Sequence, residues 1–295
     1  MNVFYKCPVC QAALRSSDQG QLVCGGLHNF DVAKQGYVNL HLAHQRRSQA
    51  PGDSPAMLAG RARFLNAGHY DFLVDYLVTK LASDLPVQGA FLDQGCGEGF
   101  YLDRIIRRLP QIPPARWWGI DISKIAIRRA AQRLTGAHLA VSASRALPFF
   151  TADFDRILSV FAPYDALEMA RVLKPGGFVI LVGPDAAHLD GLKALIYERD
   201  QSHQGNFKPI IESPYFALQS ATQLLKAAII KAPEIGDLLA MTPYYWSAST
   251  EAQASIARLE RLETQLAFDV RIYRRLPIPF EWDAGKAHLD RESPA

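Results

Sequence analysis

Short apolar runs alternate with amphipathic stretches between residues 90 and 182 of the chain. The apolar runs predict strands at residues 90–94, 117–120, 154–160 and 178–182. Apolar positions at helical spacing predict helices at 101–109, 124–134 and 166–173, with Ser123 as the N-cap of the second. Alternation of this kind predicts an α/β fold, in which a mostly parallel sheet carries helices on both faces.

A glycine-rich loop follows the first predicted strand and precedes its helix. It reads Asp93-Gln94-Gly95-Cys96-Gly97-Glu98-Gly99. Glycines let the backbone turn sharply and approach a ligand at a helix N-terminus. Asp121 ends the second predicted strand, where a carboxylate can accept hydrogen bonds from ribose hydroxyls. The loop and this acid predict a nucleotide-like cofactor at the carboxyl ends of the strands.

Two cofactors share this general pattern, NAD and S-adenosylmethionine. The loop has the spacing D-x-G-x-G-x-G, whereas a dinucleotide fingerprint reads G-x-G-x-x-G. Asp93 would also repel a pyrophosphate, but it suits the cationic methionine end of S-adenosylmethionine. The loop therefore favours S-adenosylmethionine, with Asp93, Gly95, Gly97 and Asp121 at its site.

Four potential metal ligands lie within the first 28 residues: Cys7, Cys10, Cys24 and His28. The spacing C-x2-C…C-x3-H offers zinc two ligand pairs for a tetrahedral site. A segment this short buries little apolar surface, and zinc would contribute about 10–16 kcal/mol to its folding. The alternatives, a disulfide or a redox Cys-x-x-Cys, are disfavoured because no export signal precedes the cysteines and no βαβ unit surrounds them. Four protein ligands predict a structural site, one zinc per chain.

Charge is distributed unevenly along the chain. Residues 1–69 contain seven Lys/Arg and three acids, a charge of +4, and the other residues carry 25 basic and 26 acidic side chains. A basic N-terminal part suggests contact with a polyanion, although a solvated basic face would have the same composition. The chain has no apolar run of about 20 residues and no secretory signal pattern, so we expect a cytoplasmic protein without a membrane partner.

Several further short segments are not general features of S-adenosylmethionine sites: Phe30-Asp31, Ala33-Lys34, Gly36-Tyr37-Val38-Asn39-Leu40, Pro51-Gly52-Asp53-Ser54, Ala67-Gly68-His69-Tyr70, Ala162-Pro163, Lys174-Pro175-Gly176-Gly177, His188-Leu189 and Met241-Thr242-Pro243. With the Cys/His pattern and the glycine loop, they make the sequence resemble the RlmA-type 23S rRNA guanine-N1 methyltransferases. The resemblance extends from Cys7 to about Arg274. It implies a Rossmann-like class I methyltransferase domain with a small N-terminal zinc-binding module.

The resemblance also implies site residues and partners. The zinc ligands of the family fall on Cys7, Cys10, Cys24 and His28, and its cofactor contacts fall on Tyr70, Gly97, Glu98 and His188. It implies a homodimer that methylates a guanine in a domain II hairpin of 23S rRNA, with no role for DNA.

The adenine end of the cofactor site departs from the commonest methyltransferase pattern. Many methyltransferases have Asp or Asn near position 143, where this chain has Ala143-Ser144. RlmA-type proteins lack that acid as well. We therefore expect backbone groups and the Ser144 hydroxyl to contact the adenine.

The residues that handle the target base are less well defined by the sequence. Phe161 and Tyr164 flank Ala162-Pro163, where a base would lie against the cofactor; core packing of Phe161 is the alternative. Candidates for removing the guanine N1 proton are Asp53, Asp185 and His188, and water could also accept it. The sequence does not choose among them.

These motifs predict four segments: a zinc-binding RNA-recognition module (1–45), a linker and helical lead-in (46–69), the methyltransferase domain (70–282) and a charged tail (283–295). Arg46-Arg47 in the linker would be placed to contact RNA phosphates. Two other functions stay open. A small-molecule methyltransferase of the quinone-pathway type would share the glycine loop, and a non-catalytic zinc-finger RNA-binding protein would share the cysteines.

Overall fold

A computed structural model describes residues 5–45, 54–83, 88–197 and 205–280. The strands in these ranges are β1 (Arg15–Ser16), β2 (Gln21–Val23), β3 (Asn29–Asp31), β4 (Tyr37–Asn39), β5 (Phe91–Gln94), β6 (Trp117–Asp121), β7 (His138–Val141), β8 (Phe154–Val160), β9 (Leu173–Pro184), β10 (Phe216–Lys231) and β11 (Arg261–Arg275). The helices are α1 (Pro55–Asn66), α2 (Asp71–Ala82), α3 (Phe100–Arg108), α4 (Lys124–Arg133), α5 (Ala166–Val172), α6 (Asp190–Ala194), α7 (Lys208–Ile211), α8 (Glu234–Ala240), α9 (Tyr244–Ser247) and α10 (Thr250–Ala257). Asp53, Arg46 and Arg47 lie outside the described residues.

Eight strands form one large sheet in the order β10-β11-β9-β8-β5-β6-β7-β4. The pairs from β9 through β4 are parallel, and β11 is antiparallel to both β9 and β10. β5 is buried along its whole length, as expected for a central strand covered on both faces. The predicted α/β class with a mostly parallel sheet is confirmed.

Helix starts follow local capping chemistry. The Ser123 hydroxyl accepts a hydrogen bond from the Ala126 amide at 3.3 Å, which confirms Ser123 as the N-cap of α4. Asp165 caps α5 in the same way, by accepting from the amides of Leu167 and Glu168. β9 begins earlier than predicted, at Leu173, because Lys174-Pro175-Gly176-Gly177 continues the strand.

The N-terminal module is joined to the large sheet. β1, β2 and β3 form a small antiparallel sheet, but β4 pairs in parallel with β7 and extends the edge of the large one. The Tyr5 ring packs against Trp118 and Phe149, with centroids 4.9 and 5.6 Å apart. All three rings are buried, so module and sheet share one apolar core.

The opposite edge carries an insertion between β10 and β11. These two strands pair from Phe216 to Lys231, whereas β9 reaches only to Phe268 of β11, so the hairpin extends past the carboxyl ends of the parallel strands. α8, α9 and α10 connect its two strands, and α8 packs on α1. We call residues 232–260 the cap. Within the described ranges, no helix has the length and apolar character needed to cross a membrane.

Candidate cofactor site and zinc centre

The four predicted zinc ligands converge. The Sγ atoms of Cys7, Cys10 and Cys24 and a ring nitrogen of His28 all lie within 4.8 Å of one another. Cys24 Sγ is 3.4 Å from both Cys10 Sγ and His28 Nδ1. None of the three cysteines forms a disulfide. Three thiols and one imidazole at this spacing match the donor set and size of a tetrahedral zinc site.

Tight turns aim both ligand pairs at one point. Gln11, directly after Cys10, and Leu27, directly before His28, have φ of 64° and 62°. This left-handed conformation is unusual for residues other than glycine, and it closes each knuckle. Burial raises the pKa of Cys24, but hydrogen bonds with Cys10 and His28 outweigh it and lower the pKa to about 6. The thiolate is the form that binds metal.

The glycine loop between β5 and α3 is held against β6. The amides of Gly95 and Cys96 both donate to the Ile120 carbonyl at 2.9 Å. Gly95, Gly97 and Gly99 all have positive φ, between 56° and 78°. A Cβ on Gly95 would lie 2.2 Å from Ala162 Cβ, whereas a Cβ on Gly97 would meet nothing within 4 Å. Gly97 therefore borders open space that a ligand can fill.

Asp121 braces this loop from the end of β6. Its Oδ2 accepts from the Gly97 amide at 3.0 Å, and its Oδ1 accepts from the Ser123 amide at 2.8 Å. The carboxylate thus fixes the backbone at the loop's most open glycine. It lies at the carboxyl end of the strand, where the sequence placed a ribose contact.

Asp93 is a buried carboxyl with one unsatisfied oxygen among the described residues. It is 3% exposed, and no described group lies within hydrogen-bonding distance of its Oδ2. Burial, with a smaller contribution from the nearby Asp121, raises the pKa of Asp93 to about 8. A cationic ligand would relieve both effects, so Asp93 fits the methionine end of S-adenosylmethionine.

Glu98 is turned towards α4. Its carboxylate oxygens lie 3.7 Å from Arg129 and 3.6 Å from Arg133. Burial raises the pKa of Glu98, and these two arginines oppose that effect. Because its side chain is occupied by α4, any contact of Glu98 with a cofactor would come from its backbone.

Tyr70 and His188 meet in the core beside the loop. The Tyr70 hydroxyl lies 3.3 Å from His188 Nε2, and the Ala267 amide donates to His188 Nδ1 at 3.2 Å. Because Nδ1 accepts, Nε2 carries the ring hydrogen and donates it to Tyr70. Desolvation, then Lys193, lowers the pKa of His188 to about 4, so the ring is neutral. The Tyr70 hydroxyl can then donate its own hydrogen to a ligand.

Phe161 is displayed at the end of β8. It has a φ of 53° and is 43% exposed, so it is not a core residue. Its amide donates to the Val182 carbonyl at 2.9 Å, and its ring lies 5.7 Å from those of His188 and Phe268. Strained backbone of this kind clusters at functional sites.

The remaining predicted residues lie around this centre. Ser144 is half-buried in the loop after β7. The Asp185 carboxylate accepts from Gln223 at 2.9 Å and from the Ala187 amide at 3.1 Å. The Tyr164 hydroxyl donates to the Asn206 carbonyl at 3.0 Å.

Phe268 lies beside the site but was not identified from the sequence motifs. Its fully buried ring packs on Tyr70 and His188, with centroids 4.8 and 5.1 Å apart. The alternating apolar pattern of β11 was the available signal for an inward-facing residue at this position.

The fold, the glycine loop and the strand-end acids define a class I methyltransferase domain. A family model described as "RlmA, N-terminal" matches residues 5–49, and one described as "Methyltransferase domain" matches residues 91–177. The 23S rRNA (guanine(748)-N(1))-methyltransferase of Streptomyces fradiae is 33% identical over 93% of this chain and 98% of its own length. This chain belongs to the family of 23S rRNA (guanine-N1)-methyltransferases.

Two further relatives bear provisional names as 23S rRNA (guanine-N(1)-)-methyltransferases. The protein of Micromonospora griseorubida is 36% identical over 62% of this chain and 66% of its own length. The protein of Bacillus subtilis is 26% identical over 91% of this chain and 96% of its own length.

Zinc content is the first expected outcome. Metal analysis of the purified protein should find one zinc per chain, because four ligands converge on one point. Cys24→Ser should lose the metal and the fold of the N-terminal module, since metal binding and folding are coupled in such small units. Cys96→Ser is the matched control: Cys96 is a buried cysteine outside the cluster, and this variant should keep its zinc. A metal-free wild type would refute the assignment.

Gly97→Val should weaken S-adenosylmethionine binding by about tenfold or more, measured by calorimetry. The branched side chain would fill the open space beside the loop. Gly176→Val is matched to it: Gly176 also has a positive φ, 79°, and open space around its Cβ position, but it lies in β9 near the opposite ends of the strands. Both variants should carry the same backbone strain. Equal cofactor affinity in the two would place the site elsewhere.

Cofactor binding should be coupled to a proton at Asp93. In the free protein the pKa of this carboxyl is raised to about 8, so the group is protonated below that pH. A cationic ligand favours the ionised form. Affinity should therefore fall as pH drops below 8, by up to about tenfold per unit. The ligand's own amino group titrates nearby, so the comparison is with Asp93→Asn, which should bind more weakly with a flatter pH profile. Identical profiles would show that Asp93 does not meet the ligand.

Proposed function

We propose that this chain transfers the methyl group of S-adenosylmethionine to N1 of a guanine in a domain II hairpin of 23S rRNA, in the cytoplasm, as a homodimer. The observation that carries the proposal is the alignment with the Streptomyces fradiae enzyme, which covers 98% of that protein. The match includes the N-terminal module and the methyltransferase domain together. A zinc module joined to the catalytic sheet supports a large substrate such as RNA over a small metabolite.

The residues at the carboxyl ends of the strands would each contact a different part of the cofactor. Asp93 and the Tyr70–His188 pair suit the methionine end, Asp121 the ribose and Ser144 the adenine. When bound, S-adenosylmethionine supplies an electrophilic methyl group on a sulfonium. The protein's part is to hold that group and the acceptor in line, because proximity and orientation account for much of such a rate enhancement.

Phe161 is the proposed platform for the target base. Guanine N1 is paired in a duplex, so the base must leave its stack to be methylated. A half-exposed phenyl ring beside His188 offers a flat surface for that base at the cofactor site. The hydrogen bond from the Phe161 amide to the Val182 carbonyl holds the backbone that carries this ring before the substrate binds.

Asp185 is the proposed acceptor for the N1 proton. His188 is a poor base, because both of its ring nitrogens are already in hydrogen bonds and its pKa is lowered to about 4. Asp185 lies in the same turn, and its carboxylate is oriented by Gln223 and the Ala187 amide. Asp53 lies outside the described residues.

The test combines a chemical readout with two variants. N1 methylation blocks base pairing, so reverse transcription of 23S rRNA should stop at the modified guanine. The stop should disappear in a strain lacking the gene and return when wild type is supplied. Phe161→Ala should lower methyl transfer about 5- to 150-fold, the value of one stacked base, with cofactor affinity kept. Asp185→Asn should lower methyl transfer while cofactor affinity is kept.

Leu167→Ala is the control for Phe161→Ala, since Leu167 is about as exposed, at 45%, and lies on α5, outside the residues proposed for the site. Label from tritiated S-adenosylmethionine should appear in RNA and be absent from lipid extract. Transfer to lipid, with an unchanged reverse-transcription stop in the deletion strain, would overturn the proposed substrate.

A further inference from the structure

The cap is fixed beside the cofactor site by polar contacts. Arg63 forms a two-point ion pair with Asp237 of α8, and His69 Nε2 lies 2.8 Å from Glu234. Arg61 donates to the Met241 carbonyl at 3.3 Å. His69 is the chain neighbour of Tyr70, so its contact with Glu234 places the start of the cap next to a proposed cofactor residue.

The short helix α9 presents its side chains in two directions. Tyr244 is buried, and its ring packs on Tyr197 with centroids 6.0 Å apart. Trp246, two residues on, is 71% exposed, and its ring is nearly perpendicular to that of Tyr245, with centroids 5.3 Å apart. The Gln253 side chain donates to the carbonyls of Tyr245 and Ala248 and so holds the backbone before and after Trp246.

The surroundings of Trp246 decide what can cover it. Within the cap, residues 232–260, Trp246 is the only large apolar side chain that is exposed. A stable protein interface buries about 800 Å² on each partner around an apolar centre, and one exposed ring on the cap does not provide that. A single exposed indole on a rigid support matches one flat partner, the face of a nucleic-acid base.

We propose that Trp246 stacks on an unpaired base of the RNA substrate, at the rim of the cofactor site. This base is distinct from the target guanine, which Phe161 receives. The inference rests on the proposed RNA substrate and adds a second contact to it. Two aromatic platforms, one directly after β8 and one on the cap, would hold two unstacked nucleotides and so favour a loop or bulge over a continuous duplex.

Binding of a synthetic domain II hairpin tests the proposal. Trp246→Ala should weaken affinity about 5- to 150-fold, the equivalent of about 1–3 kcal/mol per stacked base. Trp246→Phe should retain most of the affinity, because a phenyl ring also stacks. Affinity for S-adenosylmethionine should be unchanged in both. Leu218→Ala is the matched control, an exposed apolar residue (55%) at the other end of β10, and it should bind like wild type.

Fluorescence gives an independent readout. The chain has four tryptophans, of which Trp117 and Trp118 are buried in β6. In a Trp282→Phe background, the hairpin should quench the emission of Trp246, and a fully paired duplex of the same length should not. Adding Trp246→Phe to this background should abolish the quenching.

Each other outcome has a defined meaning. Wild-type affinity in Trp246→Ala, with no quenching, would overturn the stacking role. A change in oligomeric state of Trp246→Ala by sedimentation would also overturn it and assign the ring to an interface between copies. Hairpin binding with quenching but without methyl transfer would leave the stacking in place and refute the proposed function instead.

Discussion

The close packing around the glycine turn after β5 is the constraint on which the site depends. Gly95 and Cys96 donate to one carbonyl of β6, and Gly95 leaves no space for a side chain against Ala162. Gly99 is also closely packed: a Cβ there would lie 2.8 Å from Leu134 and 3.2 Å from Ala130 of α4. Since the turn has no slack on either side, the positions of Asp93, Asp121 and Phe161 relative to one another follow from backbone packing.

The zinc centre and the catalytic sheet form one folded body. Tyr5 carries the start of the module into a cluster with Trp118 and Phe149, and β4 supplies the last strand of the sheet. Loss of the metal would therefore expose the edge of β7 and part of an aromatic core, in addition to unfolding the N-terminal module. Conversely, a well-packed sheet edge fixes the position of the two knuckles relative to the sheet.

Elements with strong local signals could be predicted from the sequence, and long-range pairings could not. The buried runs that became β5, β6 and β8, the cap at Ser123 and the four ligands at Cys7 to His28 each depend on residues close together in the chain. β4 has three residues, and its partner lies far along the chain, so no local pattern announces the pairing. Tyr70 and His188 came from the family resemblance alone, because their hydrogen bond joins segments 118 positions apart. Phe268 and Trp246 were missed for a related reason: exposure and ring packing are properties of the assembled fold.

The pairing of β4 with β7 also bears on the order in which the molecule assembles. The two knuckles lie within the first 28 residues and can close around zinc as soon as those residues leave the ribosome. Tyr37, in contrast, pairs with Leu139, so β4 must wait for about a hundred further residues to be synthesised. Contacts so distant in sequence slow folding, because a large loop has to close before they form. A module already closed around the metal would hold β4 in place until β7 has been synthesised, and would so protect this strand from mispairing.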